Sequence, residues 1–423
     1  MGYRRAGRAA QAGPGRRRHR VSRAARAAGE PGCGEGGTGE GAMDQATFAG
    51  LLGDLQQHCR ADAALPDLTA EAGKFDAPIV VLVHGIGGNA RHWADPIGLN
   101  PADTWLFDLA ARPRDGRGIA SSPPYQPGSV TAWTQVLRDA GCTTVRWSQA
   151  RPDDLLQYAT AEAVTVLRAI EERVFAPIEQ ALATGGGAAP PLVLLCHSRG
   201  GLVARAALKE LGPTGVPHLR QVVTLCTPHR GSYMPKLAAA YNATLSDAID
   251  FDSLSDRVPG PFRRLVDQRL EPLLEDLANR VRMALLHSFG TLAQGPGFDE
   301  LDPASPTLVA LADGEAPLPG VRYAGFGGTD PTFIHFYLVA AGRAVHLLAT
   351  ASAFLVGQLA RLPGVEGAFG GLAELAGGDS AVGPESSKWP EAFGAPHQTV
   401  PLNHMRALID PTLQQAVLHT IRP

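Results

Sequence analysis

The stretch LVLLCHSRGG, at residues 192–201, decides the fold that the sequence predicts. Its apolar run predicts a strand buried on both faces, and residues 200–211 have the pattern of a helix. A strand, Ser198, a glycine two residues later at Gly200 and then a helix have the arrangement of a nucleophile elbow, which raises the serine hydroxyl at the carboxyl end of a sheet. The usual pattern is G-x-S-x-G, and Cys196 stands at its first glycine. A turn serine without chemistry is the alternative.

The segments around this stretch predict one sheet of the α/β class. Apolar runs predict four more strands, at residues 78–83, 143–147, 221–226 and 321–326. Helical patterns occupy residues 412–421 and residues 153–184, where Pro177 is expected to kink or divide the helix. Strands that alternate with helices indicate a mostly parallel sheet with right-handed crossovers and helices on its faces.

Composition and charge exclude two classes of protein. The chain has 423 residues, of which 44% are hydrophobic and 19% charged, and its formal net charge is −3. The 49 glycines and 34 prolines argue against a coiled coil, and the near-neutral charge argues against a nucleic-acid-binding protein with a dominant basic field. We therefore expect a globular protein with no nucleic-acid partner.

The charge is unevenly distributed along the chain. Residues 1–42 carry nine arginines against three acids, so that residues 43–423 have a net charge of −9. This basic head, rich in glycine and alanine, is expected to be disordered. We expect Met43 to be the true start; a basic arm for an anionic partner and an export signal without its apolar core are the alternatives.

The cysteines favour a reducing compartment. There are five, an odd number, and none forms a C-x-x-C pair, so we expect neither a disulfide framework nor a zinc site. Without a recognisable secretion signal, the expected location is cytoplasmic.

A glycine-rich turn, HGIGG at residues 84–88, follows the first strong strand. A His84-Gly85 turn lets the next backbone N–H, that of Ile86, point at a developing oxyanion, and the N–H of Arg199 is its natural partner. His84 itself is expected to hold the loop by hydrogen bonding rather than to act as a base.

A third motif, TPHRGS at residues 227–232, follows directly at the end of the predicted strand at residues 221–226. Together with the His-Gly turn and the stretch from His197 to Gly201, it resembles the lipase branch of the α/β-hydrolase superfamily, including bacterial lipases and the GPI-deacylase-like and LCAT-like serine esterases. The resemblance implies the α/β-hydrolase fold and a serine hydrolase whose nucleophile, acid and histidine follow in that order along the chain.

The resemblance also implies where the base and the acid lie. The family's histidine precedes the last helix, which favours His404, with His397 as the second candidate. The acid is expected at Asp379, because GGDSAV at residues 377–382 resembles the family's Gly-Asp-x-x-Val motif. Asp330, directly after the fourth strand, is the rival, and a plain turn aspartate is the alternative for both.

Two long segments exceed a minimal sheet. After a helical lead-in at residues 43–76, residues 77–423 are expected to form one hydrolase domain with cap insertions at about 233–320 and 331–376. An amphipathic pattern at residues 270–285 suggests a lid that covers an apolar pocket. The apolar run at residues 344–360 is interpreted as a buried or cap helix, because it is shorter than a membrane span requires.

These expectations converge on a serine esterase or lipase that acts on small-molecule esters or lipids, preferably with hydrophobic acyl chains. An acyltransferase or amidase would use the same residues, and a non-catalytic binding protein would share the fold. No cofactor is expected. Calcium is in doubt, because Arg406 stands where some bacterial lipases have an aspartate.

Overall fold

A computed structural model describes residues 43–63, 65–95, 118–120, 131–236, 295–340, 343–351 and 374–422. Ten strands lie in these ranges: β1 (Leu68–Glu71), β2 (Ile79–Val83), β3 (Gly118–Ala120), β4 (Thr143–Trp147), β5 (Leu192–His197), β6 (Leu219–Leu225), β7 (Arg322–Gly328), β8 (Thr332–Ala340), β9 (Arg343–Ala351) and β10 (His397–Val400).

Seven of these strands form the central sheet, in the order β1-β4-β2-β5-β6-β7-β10. All neighbouring strands are parallel except β1, which is antiparallel to β4. The predicted mostly parallel sheet is therefore confirmed, and its architecture is that of the α/β-hydrolase fold. The carboxyl ends of β2, β5 and β6 meet at one edge, where the motif residues follow.

The helices of the described ranges are α1 (Gln45–Ala61), α2 (Arg91–Ala94), α3 (Trp133–Asp139), α4 (Leu156–Ile170), α5 (Ala176–Gly185), α6 (Gly200–Gly215), α7 (Pro296–Asp299), α8 (Pro306–Ala312) and α9 (Pro411–Ile421). A π-helical turn, Glu171–Phe175, joins α4 to α5, so the predicted long helix is divided directly before Pro177. The helical conformation of α6 is interrupted at Gly212, whose φ is 62°.

Alternate side chains of β2 pack into two different cores, one on each face of the sheet. All five side chains of β2 are buried. Ile79 and Val81 belong to the core that α1, α4 and α6 complete, whereas Val80 and Leu82 belong to the core formed with α3 and α9. A strand buried on both faces needs a continuous apolar sequence, which is the pattern that made β2 and β5 predictable.

The interpretation of residues 344–360 as a helix is wrong over residues 344–351. This part lies in β9, which pairs antiparallel with β8, and β3 completes a three-stranded sheet. A continuous apolar run does not distinguish a helix from a strand, and β8 is rich in aromatic and β-branched residues, which favour strands.

Other predictions fall wholly or partly outside the described residues. The basic head at residues 1–42 and the amphipathic pattern at 270–285 lie outside them, as do large parts of both expected cap insertions. Within the described ranges, no helix has the length and apolarity needed to cross a bilayer.

Candidate active site

The turn between β5 and α6 holds Ser198 in a strained conformation. Its φ of 55° lies in the left-handed region, which side chains other than glycine rarely occupy. The Ser198 backbone N–H donates to the Leu225 carbonyl at 2.9 Å, which ties the turn to β6. The predicted elbow therefore has the backbone geometry that exposes a side chain at a sharp strand-to-helix turn.

Glycines are required where other backbone passes beside this turn. A Cβ at Gly200 would lie 2.3 Å from the Val83 carbonyl oxygen, and a Cβ at Gly85 would lie 2.8 Å from the Ser198 Cβ. Cys196, in place of the usual first glycine, is fully buried in the core on the α4 and α6 side of the sheet. A cysteine can therefore replace the first glycine of G-x-S-x-G here, because its side chain packs into the core.

The structure brings Ser198, His404 and Asp379 together, although they are widely separated in sequence. His404 Nε2 lies 2.8 Å from Ser198 Oγ, and His404 Nδ1 lies 3.0 Å from Asp379 Oδ2. His404 lies in the loop between β10 and α9, where the family resemblance expected the base. With Nδ1 donating to the carboxylate, Nε2 is left as the acceptor for the hydroxyl proton.

Asp379 is held rigidly. Its side chain is 1% exposed, and Oδ1 accepts hydrogen bonds from the backbone N–H of Ala381 at 3.0 Å and of Val382 at 2.7 Å. The His404 N–H donates to the Asp379 carbonyl at 2.7 Å, so the two residues are joined through backbone as well as side chain. These bonds fix the direction of the carboxylate.

His197 supports the backbone of His404. Its Nε2 lies 3.0 Å from the His404 carbonyl oxygen, and the two rings are 4.9 Å apart. Burial lowers the pKa of His197 well below its usual value, and the neighbouring His404 adds to this effect. His197 is therefore neutral near pH 7 and donates through Nε2, because a carbonyl oxygen only accepts.

His84 holds the His-Gly turn, as expected. Nδ1 donates to the Gly85 carbonyl at 2.8 Å, and Nε2 accepts from the Gln149 backbone N–H at 3.0 Å. Burial lowers the pKa of His84 to about 4. Because both nitrogens are engaged and the ring stays neutral, His84 has no proton to exchange with a substrate.

The two backbone donors expected for an oxyanion are the N–H groups of Ile86, in the His-Gly turn, and of Arg199, directly after Ser198. Within the described part of the chain, no hydrogen-bond acceptor is found for the backbone N–H of Ile86 or of Arg199. Arg199 is the residue before α6, so its N–H belongs to the orphan donors of a helix N-terminus. Such groups attract a negative oxygen.

The alternative residues have other partners. Asp330 Oδ1 accepts from the Thr332 N–H at 3.0 Å. His397 lies on β10, where its Nε2 is 3.3 Å from Ser387 Oγ. The histidine of the TPHRGS motif, His229, has its Nε2 3.1 Å from Thr224 Oγ1, consistent with a structural role.

Sequence reasoning missed Cys226, which ends the third predicted strand. Its Sγ, an Asp379 carboxylate oxygen and a His404 ring nitrogen lie within 4.8 Å of one another. Burial, followed by the charge of Asp379, raises the pKa of the Cys226 thiol well above its usual value. The three groups have metal-ligating chemistry, but a protonated thiol and an already paired histidine are poor ligands. In the sequence, Cys226 stands at the end of an apolar run, which indicates only a buried residue.

No protein-family model matches the sequence, and no curated protein matches it. Among solved structures, the chain is similar to the lipase BlEst2 of Bacillus licheniformis, with 16% identity and a TM-score of 0.44 over 84% of this chain and 97% of that one.

The chain is also similar to two further solved structures. A lipase-esterase related protein of Clostridium acetobutylicum shares 13% identity, with a TM-score of 0.35 over 84% of this chain and 98% of that one. An enol-lactonase of Burkholderia xenovorans shares 13% identity, with a TM-score of 0.31 over 85% and 97%. These likenesses are too weak to assign an activity.

Proposed function

We propose that the protein is a serine hydrolase that cleaves carboxylic esters through an acyl-enzyme intermediate. One observation carries the proposal: a continuous chain of hydrogen bonds runs from Ser198 Oγ through the His404 ring to the buried Asp379 carboxylate. A hydroxyl in a strained elbow, a base within reach and an acid that orients the base are the three parts of nucleophilic acyl transfer.

The first step is attack by Ser198 on the ester carbonyl carbon. His404 Nε2, 2.8 Å from the hydroxyl, takes its proton as Ser198 Oγ bonds to the carbonyl carbon. Asp379, 3.0 Å from Nδ1, stabilises the resulting imidazolium and keeps the ring in one orientation. The carboxylate remains ionised throughout the step.

Negative charge develops on the substrate's carbonyl oxygen as the tetrahedral intermediate forms. The backbone N–H groups of Ile86 and Arg199 are the proposed donors to this oxygen, since both lack acceptors among the described residues. A donor of this kind contributes about 3 kcal/mol to stabilising the transition state.

Breakdown of the intermediate needs a proton for the leaving alcohol. His404 returns its proton to the alkoxide oxygen, the C–O bond breaks, and the acyl group stays on Ser198. Water, activated by the same imidazole, then attacks the acyl-enzyme and releases the carboxylic acid with the serine restored. No cofactor enters either half of the reaction.

Hydrophobic acyl chains are the proposed substrates. In this proposal residues 77–423 form the hydrolase domain, and the insertions at 233–320 and 331–376 cap an apolar acyl pocket. A panel of p-nitrophenyl esters from acetyl to octanoyl tests this specificity, with kcat/KM expected to rise with chain length. A flat series would contradict an apolar acyl pocket.

Substitution of the nucleophile tests the proposed reaction. Ser198→Ala is expected to abolish hydrolysis of p-nitrophenyl butyrate while leaving the thermal unfolding temperature near that of the wild type, because an alanine methyl fits where the hydroxymethyl stood. Ser232→Ala is a matched control, a buried serine of the TPHRGS motif outside the hydrogen-bonded chain. Hydrolysis by Ser198→Ala at the wild-type rate would contradict the proposal.

A further inference from the structure

The Arg199 side chain, directly after the proposed nucleophile, is buried to a degree unusual for a cation. Its guanidinium is 1% exposed. Burial lowers the pKa of Arg199, and the nearby carboxylates of Glu300, Asp153 and Asp154 oppose that shift. An arginine so deeply buried is tolerated only where its N–H groups and its charge have partners.

The two carbonyl partners lie on the loop between β4 and α4, and the carboxylate partner follows α7. Nη1 donates to the Pro152 carbonyl oxygen at 3.1 Å, and Nη2 donates to the Asp154 carbonyl oxygen. The Glu300 carboxylate lies 3.9 Å from Nη2 and supplies the opposite charge. The guanidinium therefore holds the backbone of residues 152–154 against the start of α6.

The Pro152 carbonyl oxygen has a second donor. The backbone N–H of Gly87 donates to it at 3.2 Å. Gly87 adjoins Ile86, one proposed oxyanion donor, and the other donor is the backbone N–H of Arg199 itself. One carbonyl oxygen thus joins the two loops that carry the two donors.

A glycine-rich segment at residues 295–297 packs closely against the guanidinium and the loop that it holds. A Cβ at Gly297 would lie 2.9 Å from Arg199 Nη2, and a Cβ at Gly295 would lie 2.3 Å from the Asp153 carbonyl oxygen. Glu300, which follows this segment, also accepts from the Leu156 N–H at 2.5 Å and from Thr307 Oγ1 at 2.7 Å.

We propose that the Arg199 side chain is a positioning residue that sets the distance between the two oxyanion donors by holding the Pro152 carbonyl between their loops. The inference rests on the proposed ester hydrolysis and adds a role for a side chain that neither attacks the substrate nor exchanges a proton with it. Electrostatic stabilisation of an oxyanion depends on donors that are already in place before the reaction.

Arg205 provides a matched control on the same helix. Its side chain is 2% exposed, and its Nε donates to Glu315 Oε1 at 2.8 Å. Nη1 donates to the His229 carbonyl oxygen at 2.7 Å. Arg205 is therefore as buried and as well paired as Arg199, but its partners, Glu315 and the His229 carbonyl, lie outside both donor loops. Its loss should therefore lower stability without displacing an oxyanion donor.

The experiment compares Arg199→Ala, Arg199→Lys and Arg205→Ala in the full-length protein. It measures kcat and KM for p-nitrophenyl butyrate, the inhibition constant of butylboronic acid, which forms a tetrahedral adduct with a serine, and the thermal unfolding temperature. For Arg199→Ala we expect kcat to fall about tenfold to 100-fold with KM changed less than threefold, and boronate affinity to fall by a similar factor. Arg199→Lys should be intermediate, because an ammonium retains the charge and one of the two carbonyl contacts.

Several outcomes would overturn the positioning role. One is a folded Arg199→Lys or Arg199→Ala protein with kcat and boronate affinity within twofold of the wild type. Another is an equal loss of both quantities in Arg205→Ala, which would indicate a general effect of destabilisation. If Arg199→Ala does not fold, Arg199→Lys alone decides. A wild-type protein that neither hydrolyses esters nor binds the boronate would instead contradict the proposed function.

Discussion

Two histidines at opposite ends of the central sheet both contact carboxylates, yet their surroundings give them different chemistry. At the carboxyl end, His404 has Asp379 on one ring nitrogen and the Ser198 hydroxyl on the other. At the amino end, His218 has Glu171 Oε2 2.6 Å from Nδ1 and Glu179 Oε1 3.0 Å from Nε2.

The difference lies in what each second nitrogen faces. Both ring nitrogens of His218 lie beside carboxylate oxygens, so neither nitrogen faces a hydroxyl. Phe175 stacks on the His218 ring with centroids 4.1 Å apart, which fixes the ring in place. His404 faces a hydroxyl instead and can accept its proton. A base needs one nitrogen oriented by an acid and the other left as an acceptor.

The largest expected effect is the loss of kcat/KM on substitution of His404, which distinguishes it from His218. His404→Ala should lower kcat/KM for p-nitrophenyl butyrate by about 10⁴-fold or more, because no other group takes the serine proton. His218→Ala should stay within threefold of the wild type in kcat/KM while losing stability to urea, since it removes the contacts with Glu171 and Glu179. Comparable losses of activity in the two variants, at equal stability, would contradict the distinction.

The next effect separates the two candidate acids. Asp379→Asn should lower kcat/KM by about 10³-fold, because an amide favours the wrong orientation and protonation of the His404 ring. Asp330→Asn should change kcat/KM less than threefold, since Asp330 Oδ1 accepts from the Thr332 backbone, a bond that an amide oxygen can also accept. A larger loss in Asp330→Asn than in Asp379→Asn would reassign the acid.

A third histidine, His84, extends the comparison to stability. Burial lowers its pKa from 6.5 to about 4, so the folded protein resists protonation where the unfolded chain does not. Its contribution to stability is fully present above pH 6.5 and is lost as the pH falls towards 4. Between pH 7 and pH 5 this group alone should remove about 2 kcal/mol from the free energy of unfolding.

Between pH 7 and pH 5, the free energy of unfolding of His84→Gln, measured by urea denaturation, should therefore fall by about 2 kcal/mol less than that of the wild type. His419→Gln, an exposed position on α9, is the matched control and should follow the wild type. Parallel losses in all three proteins would show that His84 does not titrate as a buried neutral group.

The smallest effects distinguish the two carboxylates around His218. Burial raises the pKa of Glu171, although its hydrogen bond to His218 acts in the opposite direction. Glu171 is 11% exposed and Glu179 is 63% exposed. Near pH 7, Glu171→Gln should lower the free energy of unfolding by about 1 kcal/mol and Glu179→Gln by about 0.3 kcal/mol, because solvent screens the exposed pair. Equal decreases in the free energy of unfolding of the two variants, measured by urea denaturation, would contradict this ranking.

Much of the site was predictable because its signals are local in sequence. Ser198 stands between an apolar strand and a helix that begins at a glycine, and the apolar runs predicted β2, β4, β5, β6 and β7 of the central sheet. A short motif predicted Asp379, and the family's placement of its histidine before the last helix predicted His404. The structure brings the His404 ring to Ser198 and the Asp379 carboxylate to that ring. Each of these predictions uses the order of residues along the chain and needs no tertiary contact.

Features that depend on tertiary packing were not predictable. The hairpin of β8 and β9 lay hidden in an apolar run that fits a helix equally well. The guanidinium of Arg199 finds its partners at Pro152, Asp154 and Glu300, about 45 to 101 residues away. Nothing in the sequence near Cys226 indicated that its thiol would lie beside Asp379.

Covalent labelling tests the central claim most directly. The wild-type protein, treated with a fluorophosphonate, should gain the mass of one phosphonyl group, and peptide mapping should locate that group on Ser198, since only an activated serine attacks phosphorus readily. Labelling should be absent in Ser198→Ala and much slower in His404→Ala. An unmodified wild-type protein, or a label mapped to another residue, would contradict the account.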